Sequence, residues 1–141
     1  MKIVVIDGQG GRIGAALVER FRRAFPTDEL IAVGTNSAAT AAMLKAGAEL
    51  GATGENPAVV CCADADVIAG PVGIVSANSL LGEVTPKMAE AVSCSRAQKI
   101  LIPVSKCRIS VMGVQELPLT EYIRLAVCKA EDYRKNQNIE G

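Results

Sequence analysis

The chain has 141 residues, with Lys+Arg 15 balancing Asp+Glu 15, is 50% hydrophobic and only 3% aromatic, and contains no His and no Trp. That length is one domain's worth, folding buries roughly 70% of the surface at this size, and the core must be aliphatic and Ala-rich. Zero net charge offers no attraction to phosphate backbones or anionic lipid, which argues against a sequence-independent nucleic-acid binder, and the missing imidazole excludes His triads and imidazole metal sites.

Residues 2 to 6 contain the β-branched run Ile3-Val4-Val5-Ile6, which reads as a strand buried on both faces. A helix follows on Ile13, Leu17, Phe21 and Ala24, with Arg20, Arg22 and Arg23 in its last turns and Pro26 beyond it. Leu30 to Val33 is a second strand ending at Gly34, and Ser37 is the expected cap of an Ala-rich helix running to Gly47. Val59 to Cys62 resembles a strand by composition, but Val67 to Ala69 follows too soon, because parallel strands need a crossover of about a dozen residues. The expectation is a short third strand at 48–51, a helix at 56–64 with Pro57 in its first turn, and a fourth strand at 66–70.

Gly70 to Gly73 opens a long loop reaching Glu83, and Thr85-Pro86 caps the next helix, with Met88, Ala91 and Val92 inward. Ile100 to Ile102 is a fifth strand. Ile109 to Val114 follows after a few residues around Ser105-Lys106-Cys107, so it is expected to pair antiparallel with the fifth strand as an edge hairpin. A final helix from Pro118 uses Leu119, Ile123, Ala126 and Ala130, and the polar residues 135–141 read as a frayed tail after a single domain at 1–134. The fold class is α/β: a three-layer αβα Rossmann-like sandwich with a mainly parallel sheet and that antiparallel edge hairpin.

The sharpest local signal is Asp7-Gly8-Gln9-Gly10-Gly11-Arg12-Ile13-Gly14, between first strand and first helix. Glycines there permit a tight turn, close approach of backbone amides to phosphate, and close helix–sheet packing, and the helix N-terminus favours an anion. Gly11 is the expected point of closest backbone approach. Asp7 serves as a cap on a backbone amide, or as a ligand of a ribose or Mg²⁺. No Lys-Ser/Thr follows Gly14, so a Walker-type loop is excluded. The segment Gly8 to Gly14 resembles the glycine loop of dihydrodipicolinate reductases, which implies binding of a nicotinamide dinucleotide, NAD(P). A shorter likeness is to the gamma subunits of 2-oxoacid:ferredoxin oxidoreductases. Over nearly its whole length, with V-I-D-G-Q-G-G-R-I-G, A-V-G-T-N, G-A-T-G-E-N, I-A-G-P-V-G-I and L-G-E-V-T-P-K-M-A-E-A, the chain resembles a family of short bacterial proteins of unknown function.

A dinucleotide site calls for Asp or Glu after the second strand, to meet the ribose diol. This chain has Gly34-Thr35-Asn36 there, while Asp28 and Glu29 lie at the strand's other end. Thr35 and Asn36 are the neutral substitutes. Ligands of open α/β sheets sit at the switch point between first and fourth strands, which adds Gly70, Pro71, Gly73 and Asn78 of the long loop. The five cysteines contain no C-x-x-C pair and read as cytosolic thiols. Cys61, Cys62 and Cys128 are expected in the core, and Cys107, beside Lys106, as an incidental turn thiol. The N-terminal run is too short for a secretory signal and no run approaches the ~18 residues of a membrane span, so the expected location is cytoplasmic. The functional expectation is a nucleotide-binding protein for NAD(P) or a related nucleotide, an oxidoreductase if an enzyme, with homo-oligomerisation as a route to completing a site. The alternative is a non-enzymatic sensor or an assembly subunit of a larger complex.

Overall fold

The structure, a computed structural model, describes residues 1–104 and 108–140. Its elements are β1 (Lys2–Asp7), α1 (Arg12–Ala24), β2 (Glu29–Gly34), α2 (Ser37–Ala46), β3 (Leu50–Thr53), α3 (Glu55–Cys62), β4 (Val67–Pro71), α4 (Pro86–Cys94), β5 (Gln98–Ile102) and α5 (Leu119–Glu140), with a short 3₁₀ turn at Val72–Val75. The strands form one sheet in the order β3-β2-β1-β4-β5, and each neighbouring pair is parallel. β1 is central, with β2 and β4 on its two sides, and its residues Ile3, Val4 and Val5 are fully buried.

Side chains alternate across the sheet and sort the core into two layers. Ile3 and Val5 pack with Leu17, Phe21, Met43 and Ile123 of α1, α2 and α5, whereas Val4 and Ile6 pack with Cys62, Met88 and Val92 of α3 and α4. Burial of each such side chain stabilises the fold by about 1.5–3 kcal/mol. Among the described residues no helix is long and apolar enough to cross a membrane.

The edge hairpin expected at Ile109 to Val114 is not formed: the five-stranded sheet is wholly parallel and β5 is its edge. Ile109, Val111, Met112 and Val114 are exposed, so no apolar face is packed there to hold a further strand against β5. The backbone just beyond is held by α5, because the Tyr122 hydroxyl accepts from the Leu117 amide at 3.2 Å and donates to the Gln115 carbonyl. The expected turn at Ser105-Lys106-Cys107 lies outside the described residues.

Three further differences follow from local chemistry. Asn36, not Ser37, caps α2, its Oδ1 accepting from the Ala39 amide at 2.9 Å; both residue types cap well, so composition does not choose between neighbours. The polar stretch from Lys135 continues α5 to Glu140. Arg134 anchors that helix, pairing with the buried Asp28 and lying 5.1 Å from the Phe25 ring centroid. Of the cysteines, Cys62 is buried and its thiol is pushed up to about 11 by that burial, while Cys128 is exposed and not in the core.

Candidate functional site

Alternation along β1 places residue 7 on the same face as Ile3 and Val5, under the start of α1. The buried Asp7 carboxylate uses Oδ1 to accept from the Gly8 amide at 2.7 Å and Oδ2 to accept from the Gly14 amide at 2.6 Å. Burial pushes its pKa above the ordinary carboxylate value, against the opposing pull of the Gly14, Gly8 and Ile13 amides. Asp7 is therefore a clamp that closes the loop onto the first turn of α1. Among the described residues no group of His, Cys, Asp and Glu could hold a metal ion.

The glycines divide their work differently from expectation. Gly11 is the N-cap of α1 at φ 72°, and a Cβ there would lie 2.8 Å from the Ala39 Cα and 2.9 Å from its carbonyl oxygen. The side on which a Cβ would stand faces α2. Gly14 is a packing glycine as well, since its Cβ would meet the Met43 Sδ at 2.5 Å. Gly10 is the open position: it is exposed, and nothing lies within 4 Å of where its Cβ would be. No described residue accepts from the amides of Gly10 and Arg12, and the exposed Arg12 guanidinium makes no ion pair among the described residues.

These groups open on a cleft of about 390 Å³ at the carboxyl ends of β1 and β4. It brings together Asp7, Gly8, Gln9, Gly10, Gly11, Arg12, Ile13 and Pro71 of the expected residues. Leu80, Val104 and Leu119 complete its wall. Gly14, Thr35, Asn36, Gly70, Gly73 and Asn78 do not line it. Gly70 is instead a sheet-packing position, where a Cβ would lie 2.2 Å from the Ile6 carbonyl oxygen.

Thr35 and Asn36 lie at the end of β2 and are engaged by Glu83, at the end of the long loop. Its carboxylate accepts from the Gln9 amide at 3.1 and 3.2 Å, from the Thr35 hydroxyl at 3.2 Å and from the Asn36 Nδ2. The Asn36 amide is oriented without ambiguity, because Oδ1 caps α2 while Nδ2 also donates to the Gln9 carbonyl at 3.0 Å. Sequence distance hides this contact, since Glu83 lies 47 residues from Asn36. With no acid after β2, Thr35 and Asn36 are left to be engaged by an acid from another loop.

Residues 2–135 match the model of the domain of unknown function DUF3842. The chain belongs to that family. This bears out the end-to-end resemblance to a family of unknown function; the comparisons do not support the dihydrodipicolinate reductase resemblance. No curated protein matches. Among solved structures, a dodecameric FMN-dependent UbiX-like decarboxylase from Escherichia coli O157:H7 is similar, at 17% identity over 92% of this chain and 75% of that one, with a TM-score of 0.46.

Proposed function

We propose that this DUF3842 protein binds a nucleotide, with a phosphate seated on the amides of Gly10 and Arg12. The observation that carries the reading is the pair of amides at the start of α1 that no described residue engages, opening on a cleft where the sheet's strand order reverses. Backbone amides and the helix dipole favour an anion at that place. The Arg12 guanidinium adds the compensating charge, and Ile13, Pro71, Val104 and Leu119 offer an apolar wall to a flat ring. NAD(P) carries this phosphate chemistry, and so do smaller nucleotides.

Titration calorimetry with NAD(H), NADP(H), FAD, FMN, NMN, AMP and ATP tests the proposal. At least one is expected to bind with Kd below about 1 mM, a free energy near −4 kcal/mol. Gly10→Ala is expected to weaken that ligand about tenfold, or 1.4 kcal/mol, and to leave the thermal transition intact, because its Cβ meets only open space. Absence of binding by the whole panel would refute the proposal. Redox assays on the loaded protein then separate an oxidoreductase from a binding subunit or sensor.

A further inference from the structure

The loop after β4 reaches the switch-point crevice through Leu80 and Glu83. Its base is pinned by the Asn78 amide donating to the Val84 carbonyl at 2.7 Å and the Val84 amide donating to the Ser79 carbonyl at 3.2 Å. Within it Asn78, Leu80, Leu81 and Gly82 all have positive φ, at 64°, 55°, 57° and 88°. Bulky side chains seldom adopt that region, and it persists only where the surroundings over-determine it. Here two contacts do so. Leu80 lies over Gly8, its Cδ1 2.8 Å from where a Cβ on Gly8 would stand, and Glu83 is held by Gln9, Thr35 and Asn36. Leu81, at the tip, is 99% exposed, so burial of its own side chain does not explain the turn.

These contacts fall where a dinucleotide would place its second nucleoside, beside the first glycine and the end of β2. The cleft that remains lies on the other side, toward β4, Val104 and α5. Its volume of about 390 Å³ is near the lower end of the ~300–1,000 Å³ range of small-molecule sites. A carboxylate bonded to the Gln9 amide, next in sequence to Gly10, also sets negative charge beside any second phosphate. Resting on the nucleotide reading above, we infer that Leu80 and Glu83 are specificity determinants that make this a mononucleotide site, one phosphate on the Gly10 and Arg12 amides with the nucleoside against the β4–α5 wall, and that exclude dinucleotides.

The test compares matched ligands: NMN and AMP against NAD⁺, and FMN against FAD, by calorimetry on the full chain and on the variant Leu80→Ala/Glu83→Ala. In the parent, at least one mononucleotide is expected to bind about tenfold or more tighter than the dinucleotide that contains it. In the double variant the difference is expected to shrink to within about threefold, through tighter dinucleotide binding. A dinucleotide that binds the parent as tightly as its halves overturns the inference and leaves the nucleotide reading standing. An unchanged ratio in a cooperatively melting double variant overturns it too. Failure of all these ligands to bind the parent refutes the nucleotide reading and this inference together. The parent ratio decides the matter even where the double variant does not fold.

Discussion

Gly11→Ala is expected to lower the melting temperature by roughly 10 °C or more, as a defect of the fold rather than of ligand contact. At φ 72° an L side chain is strained, and its Cβ would lie 2.8 Å from the backbone of α2 at Ala39. The left-handed conformation costs about 1–2 kcal/mol, and forcing α2 away from α1 adds about 1–3 kcal/mol. Both terms act on the α1–α2 contact, which a flexible side chain cannot relieve because the obstacle is main chain. Gly10→Ala, one residue away, is the control: its transition should stay close to that of the parent. Thermal melts of the two variants side by side check the assignment, and equal stability would mean that Gly11 does not face α2.

Asp7→Ala is expected to destabilise the protein by about 2–5 kcal/mol, because the Gly8 and Gly14 amides lose their acceptor in a buried place, at about 1–3 kcal/mol each. The loss has a pH signature. Burial raises the Asp7 pKa in the folded chain, so over the interval between its unfolded and folded values the folded state holds the proton more than the unfolded state does. Asp7's stabilising contribution is then fully present below the unfolded value and declines as pH rises through the folded one. Denaturant unfolding should therefore show a wider gap between parent and Asp7→Ala at about pH 3 than at pH 7. A gap that widens toward neutral pH would mean that the carboxylate's amide bonds outweigh its burial.

How much of this was legible beforehand follows from what acts locally. The β-branched run of β1, the glycines after it and α4, capped by Thr85 with Pro86 in its first turn, are decided within a few residues, and each is found where periodicity and capping place it. The crossover argument also held, making Val59 to Cys62 a helix against its composition. The edge hairpin expected from the short connection before Ile109 to Val114 does not form, because a short connection permits antiparallel pairing without requiring it and those side chains stay exposed. In the site, Asp7 and the loop were legible because strand and helix fix their geometry. The division of labour between Gly10 and Gly11 was not, because it depends on where α2 passes, and the Glu83 contact was not, because it joins residues far apart in the chain.

The most direct measurement is an amide ¹H–¹⁵N titration of the full chain with NMN, AMP and FMN. The account predicts that the largest shifts fall on the Gly10 and Arg12 amides, saturate, and weaken in Gly10→Ala. Shifts confined to the smaller hollow of about 250 Å³ lined by Val72, Val111 and Tyr122, or no saturable shift at Gly10 and Arg12, would contradict it.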